Sequence, residues 1–266
     1  MRVTYLHQYF ATPEGSTGTR SYELARRLVA RGHEVTVVTS NAQLPELADA
    51  RGVVRTTVDG IRLVVIPVAY ANEMGHRARI GAFLRFAVRA SLEAARLRAD
   101  VVLASSTPLT IALPGLVARV VRRAPMVFEV RDLWPEMPIA VGALSNPVVI
   151  AAARAVEWVA YHGAAHVIAL SPGMAEGVAR RGIPRGRITV IPNGCDLALF
   201  DVPPEAGDAY RAEATLAPGA PLLVYAGALG PVNGVEWLAD LAAELRPLSP
   251  DARGTPERRP NRGGVR

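Results

Sequence analysis

Three short stretches of the chain bring together residue types that can do chemistry. The first is ATPEGSTGTR, residues 11–20, between the first strand and the first helix. Gly15 and Gly18 let a backbone approach a ligand closely, and the helix start beyond them presents free N–H groups to an anion. Arg20 can add a charge-assisted contact to a phosphate. The same Gly-x-x-Gly spacing also serves a plain strand-to-helix turn. It is not G-x-G-x-x-G, and the second strand ends in Thr39-Ser40-Asn41 without an acid to hold a ribose, so a dinucleotide dehydrogenase is disfavoured. The second stretch is FEVRDLWPE, residues 128–136. Its strand delivers Glu129, Arg131 and Asp132 to the carboxyl edge of a sheet, where open α/β folds bind ligands. Asp132 can orient or deprotonate an acceptor hydroxyl, and Trp134 can stack on a sugar, rest at a lipid surface or lid the core. An Arg131–Asp132 loop network is the structural alternative. The third is LASSTPLT, residues 103–110. Thr107 is expected to cap a helix with Pro108 in its first position, which leaves Ser105 and Ser106 a lesser claim on substrate.

Other chemistries are excluded or weak. All thirty basic residues are arginine, so no Walker lysine, Schiff-base lysine or kinase-type lysine exists. His162 and His166 have helical ligand spacing, but Gly163 interrupts the helix and no third ligand is near, so no metal site is expected. No G-x-S-x-G elbow appears. The lone Cys195 rules out an internal disulfide and suits a reducing, cytoplasmic compartment. Of the net charge of +6, half comes from residues 251–266, which argues against a nucleic-acid groove.

The elements that must position these residues alternate. Val3–Leu6 leads into a helix near residues 20–31 that Gly32 ends, and EVTVVT follows as a strand. VVRTTVDGIRLVVIP predicts a hairpin through a type I′ turn at Asp59-Gly60. A long helix near residues 79–98 precedes the strand at 101–104, and MVFEV and HVIAL are further strands around a helix at 148–162. This order predicts an α/β fold with a parallel, Rossmann-like sheet and right-handed crossovers. In the long helix, periodicity places Ile80, Phe83, Leu84, Ala87, Val88 and Ala95 on one face, expected toward the core. Arg85, Arg89 and Arg96 cluster opposite, as a solvated face or a surface for anionic lipid headgroups. No window is long and apolar enough for a spanning helix, and no secretory leader is visible at the start.

Taken together, GSTGTRSYELARRLVARGHEVTVVTS, FEVRDLWPE and VIALSPGMAEGV…ITVIPNGCDLALF resemble the amino-terminal half of family-4 retaining glycosyltransferases of GT-B fold, closest in flavour to bacterial exopolysaccharide, O-antigen and colanic acid enzymes. The resemblance implies retaining sugar transfer from a nucleotide-sugar to a saccharide or polyprenyl-linked acceptor, in cell-surface polysaccharide biosynthesis, with no metal and no cofactor. It places Gly15, Ser16, Gly18, Arg20, Arg131 and Ser105 about the acceptor or the donor phosphates, with Asp132 near the reacting hydroxyl as the catalytic residue. Asn193, Gly194 and Asp196 match an NG-x-D crossing between domains. Gly227, Gly230 and Asn233 match a donor-diphosphate loop, here without a flanking cation. Lipid-linked acceptors would suit a peripheral place on the inner membrane face, with Arg85, Arg89 and Arg96 toward the lipid.

The expected organisation is an acceptor-side domain over 1–185, a Pro/Gly/Ala-rich connection over 186–220, the first strand–helix unit of a truncated donor domain over 221–245, and a disordered tail over 246–266. The strand within LLVYAGALGPVNGVEWLADLAAEL is expected to be buried. The family's paired glutamates have no match after Leu245, so the chain is expected to be inactive alone. The alternative is a non-catalytic acceptor-binding subunit completed by a separate donor-domain chain. A nucleotide-sugar epimerase or dehydrogenase is disfavoured by the missing ribose acid and the missing Tyr-x-x-x-Lys.

Overall fold

Short β-branched runs separated by amphipathic stretches form an open twisted sheet with helices on its faces. A computed structural model describes residues 1–15, 17–68, 74–142, 144–195, 197, 200–216, 222–227, 233–248 and 253–255. They belong to two compact units, Met1–Gly194 and Cys195–Arg266.

In the first unit the strands are β1 (Arg2–Leu6), β2 (Glu34–Ser40), β3 (Val54–Val58), β4 (Ile61–Ile66), β5 (Val101–Ser105), β6 (Met126–Val130), β7 (His166–Ala169) and β8 (Ile188–Val190). They form one eight-stranded sheet in the order β3-β4-β2-β1-β5-β6-β7-β8. All neighbours are parallel except β3 and β4. That pair is the predicted hairpin: Asp59 (φ 49°) and Gly60 (φ 77°) both take positive φ, as a type I′ turn requires. Because β8 belongs to this sheet, the first unit runs beyond residue 185, through Gly194.

The helices are α1 (Arg20–Ala30), α2 (His76–Arg96), α3 (Ala112–Arg122), the short α4 (Glu136–Ala140), α5 (Pro147–Gly163) and α6 (Pro172–Arg180). Gly32, at φ 81°, ends α1 as expected. Asn146 caps α5 by accepting from Val148 N and Val149 N, with Pro147 at the first position. The predicted cap at Thr107 does not form. A 3-10 turn over Leu109–Ile111 leads into α3 without a side-chain cap, and Thr107 (φ 123°) turns its hydroxyl elsewhere.

Each sheet face carries its own core. One is built on Tyr5, Phe10, Tyr22 and Ile61 beneath α1. The other joins Phe86, Ala90 and Ala94 of α2 to Ile111, Phe128 and Tyr161 under α3 and α5. The inward face of α2 is only in part the expected one. Ala87 is buried as expected, but Ile80, Leu84 and Val88 are 48%, 48% and 62% exposed, and Ala82, Phe86, Ala90 and Ala94 are buried in their place. Small residues let α2 approach α3 closely, and Glu93 tolerates burial because Arg55 and Arg96 pair with it.

The second unit contains α7 (Pro204–Glu213), β9 (Leu222–Val224), α8 (Glu236–Leu248) and β10 (Arg253–Thr255). β9 and β10 pair in parallel, so β9-α8-β10 is a strand–helix–strand unit that extends past residue 245, where a disordered tail was expected. The anticipated buried strand is largely open, Leu223 at 43% and Val224 at 56% exposed.

Candidate active site

The order β1-β5-β6 sets three strand ends side by side, and α1 starts beside the same carboxyl edge. His7, the segment Ser105–Thr107, and Glu129–Asp132 thus converge from distant sequence positions.

Glu129 is wholly buried and held on both oxygens. Arg20 donates to Oε1 through Nε at 3.0 Å and Nη2 at 2.9 Å, and Ser105 Oγ donates to Oε2 at 2.5 Å. Arg20 also reaches the chain leaving β8, donating to Pro192 O at 2.8 Å and Ile191 O at 2.9 Å. The arginine expected to meet a phosphate is instead a structural tie. Ser105 is likewise withdrawn from substrate, because its hydroxyl lies inside the sheet against Glu129.

A second chain of polar groups was not anticipated. Arg131 Nη1 donates to His7 Nε2 at 2.9 Å, which leaves Nδ1 to carry the ring hydrogen and donate to Ser21 Oγ, also 2.9 Å. Burial, reinforced by the Arg131 charge, lowers the His7 pKa to about 3, so the ring is neutral. Arg131 N donates in turn to Ser106 Oγ at 2.9 Å. Beside His7, Gln8 is fully buried and its side-chain amide finds no partner among the described residues. The sequence signal for both was available: a polar His-Gln pair directly after an apolar strand.

Arg131 and Asp132 remain partly exposed at the edge. Asp132 Oδ2 accepts from Thr107 Oγ1 at 2.9 Å, the bond that replaces the expected helix cap. One side of the carboxylate is thereby fixed, and Oδ1 makes no protein hydrogen bond among the described residues. Arg131 has one guanidinium contact, to a neutral imidazole, and no carboxylate partner among the described residues. The edge therefore offers one positioned carboxylate and one positioned cation, a pairing able to accept a proton and hold an anion. Trp134 packs partly buried against the core, which favours its role as a lid.

Below this loop, Arg181 donates to Glu157 Oε1 at 3.1 Å and also pairs with Glu136, tying α4 to α5. Burial pushes the Glu157 carboxyl up to about 7, opposed by Arg154 and a hydrogen bond from Tyr161.

The remaining expected positions are dispersed. Gly15 closes a turn through its N–H to Thr12 O at 2.9 Å, and both Gly15 and Gly18 are exposed. Asn193 and Gly194 are exposed at the end of the first unit, and Gly227 and Asn233 are exposed in the second. A Cβ on Gly227 would stand 2.8 Å from the Tyr225 hydroxyl, a contact that the tyrosine side chain can relieve by shifting. Ser16, Asp196 and Gly230 lie outside the described residues. Arg85, Arg89 and Arg96 are exposed on α2. No helix among the described residues is long and apolar enough to cross a membrane.

Comparison with known proteins bears on this geometry. The model of the glycosyl transferase 4-like domain matches residues 15–194, which includes the ends of β5 and β6 and the Arg20 tie. No curated protein matches the chain. Among solved structures, HepE of Anabaena in complex with UDP-glucose superposes with a TM-score of 0.61 at 18% identity, covering 96% of this chain and 59% of its own. Sucrose-phosphate synthase of Thermosynechococcus elongatus gives a TM-score of 0.66 at 18% identity, covering 97% and 63% respectively. The chain thus spans about three fifths of the length of these neighbours, which share its Rossmann-like, GT-B type of fold.

Proposed function

The chain belongs to the glycosyl transferase 4-like family, and from that premise we propose that it serves transfer of a sugar, with retention of configuration, from a nucleotide-sugar to a saccharide acceptor. The observation that carries this reading is Asp132, positioned by Thr107 and with one oxygen open at the carboxyl edge of a family-4-like sheet. Asp132 receives or orients the acceptor hydroxyl proton, while Arg131 meets an anionic part of the acceptor. A UDP-linked sugar is the donor class, in keeping with the ligand of HepE. Gly227, Gly230 and Asn233, the donor-side residues of the second unit, would contact its diphosphate. Neither a metal nor a cofactor takes part.

The pathway is cell-surface polysaccharide assembly. The acceptor is a polyprenyl-linked saccharide, and the protein sits on the cytoplasmic side of the membrane, drawn there by Arg85, Arg89 and Arg96. The test is incubation of the protein with UDP-sugars and a polyprenyl diphosphate-linked saccharide, with the anomeric configuration of the product read by NMR. A product of inverted configuration would overturn retention. Transfer that appears only when a second chain with a donor-binding domain is added would favour the acceptor-binding subunit instead.

A further inference from the structure

α2, α3 and α5 lie side by side on one face of the sheet, sharing a single core. Their outward surface has an unusual charge pattern. α2 contains one acid, Glu93, and α5 contains one, Glu157; α3 contains none. Both acids are buried, 5% and 2% exposed. Arg85, Arg89 and Arg96 of α2, Arg119 and Arg122 of α3, and Arg154 of α5 are all exposed. The layer therefore presents positive charge with no exposed carboxylate.

The same surface is apolar between its arginines. Ile80, Leu84, Val88 and Leu92 recur every fourth residue along α2, which draws one stripe along the helix, and they are 48–62% exposed. Val120 and Val121 extend the apolar area on α3, and Trp158 and Val159 do so on α5. Trp158 stacks on His162 with ring centroids 4.4 Å apart, an amphipathic pair suited to an interface between apolar and wet surroundings. A solvated basic face would need only the arginines. A protein partner matched to this surface would face cations without any acid to pair with basic residues of its own.

We infer that the outward face of α2, α3 and α5 docks on an anionic lipid bilayer, with the α2 stripe seated at the boundary of headgroups and acyl chains and the arginines among the lipid phosphates. This rests on the peripheral location proposed above and adds to it: electrostatic attraction alone is released by salt, whereas a seated apolar stripe is not. Docking would place the sheet's helical layer on the membrane whichever sugar is transferred.

The experiment is flotation of the full chain with vesicles of phosphatidylcholine alone or mixed with phosphatidylglycerol, at low and high salt, for the wild type and two variants. Binding is expected to need phosphatidylglycerol and to persist in part at high salt. Arg85→Gln with Arg89→Gln should weaken partition about fivefold for each charge removed. Leu84→Ser with Val88→Ser should abolish the salt-resistant part, a loss of about tenfold or more. All four positions are exposed, so unchanged circular dichroism is expected and checks the fold. Absence of vesicle binding overturns the inference, as does salt-resistant binding that the serine variant retains. A concentration-dependent dimer that this variant dissolves overturns it too, since the face would then be an interface between copies. Wild-type binding that is intact at low salt but wholly lost at high salt refutes the seated stripe alone, leaving electrostatic recruitment standing. Sugar transfer is a separate readout that none of these outcomes determines.

Discussion

Arg20 and Glu129, separated by 109 residues, form a buried ion pair at 2.9 Å, with side chains 10% and 0% exposed. The pair fastens the start of α1 to the end of β6, and the remaining Arg20 donors fasten both to the backbone beyond β8. Arg20→Leu should strand the carboxylate with Ser105 as its sole donor. A cost of about 3–5 kcal/mol is expected for breaking such a pair from one side, visible as a lower urea midpoint. Arg20→Lys should recover part of it, since one ammonium cannot copy the fork of contacts. A leucine variant as stable as wild type would show that Glu129 is held by other means.

His7 gives a pH dependence whose sign follows from its environment. Its folded pKa, about 3, lies below the ordinary 6.5 because burial and Arg131 disfavour the charged ring. Above pH 6.5 neither state takes up the proton and the contribution is complete. As pH falls toward 3, the unfolded chain is protonated while the folded one is not, so stability is lost at about 1.4 kcal/mol per pH unit. Glu157, raised to about 7, pulls the opposite way over the same range, so the test is a difference between proteins in urea unfolding: below pH 6.5 His7→Phe should lower the slope of stability against pH by about this amount. An identical slope in the variant would rule out His7 as its source.

Close packing of α3 on the sheet makes Gly115 sensitive. A Cβ there would lie 2.5 Å from Met126 Sδ and 3.2 Å from the Ala104 Cβ. The methionine can swing aside, but Ala104 sits on β5 and cannot. Gly115→Ala should therefore cost about 1–3 kcal/mol by overpacking, and Ala104→Gly in the same chain, which removes the opposing Cβ, should return part of the loss. Thermal unfolding of the single and double variants checks both statements.

The alternation of strands and helices was legible because it depends on local runs, and the Asp59-Gly60 turn because its chemistry is local too. Strand order and partnership across it were not. Nothing near Arg20 in the chain indicates that Glu129 will neutralise it, and the resulting tie removes the cation from the expected phosphate site. Thr107 shows the same limit: its position before Pro108 reads as a cap, yet the neighbouring strand end offers Asp132 instead. For α2, hydrophobicity misidentified part of the buried face because alanines, which permit close approach, were given less weight than Ile80, Leu84 and Val88. Those larger residues are exposed by tertiary packing that no helical period records.

The strongest functional expectation concerns Asp132. Thr107 fixes one of its oxygens at 2.9 Å, and the loop that carries it is braced through Arg131 N on Ser106 and through the contacts of Arg131 with His7. A carboxylate so placed can receive a proton, whereas an amide of the same shape cannot. Asp132→Asn should lower kcat for sugar transfer by about 10²–10⁴-fold with little change in stability, since the amide oxygen can still accept from Thr107. Thr107→Val keeps the carboxylate and loses only its orientation, so a smaller loss, about tenfold, is expected. Arg131→Gln should act mainly on the acceptor KM, since it removes a charge-assisted contact made alike in ground and transition states. Steady-state kinetics on the three variants, run with a donor-binding chain added wherever the chain alone gives no transfer, separates the roles. An Asp132→Asn enzyme with unchanged kcat would exclude proton transfer at this carboxylate and return it to the loop network with Thr107.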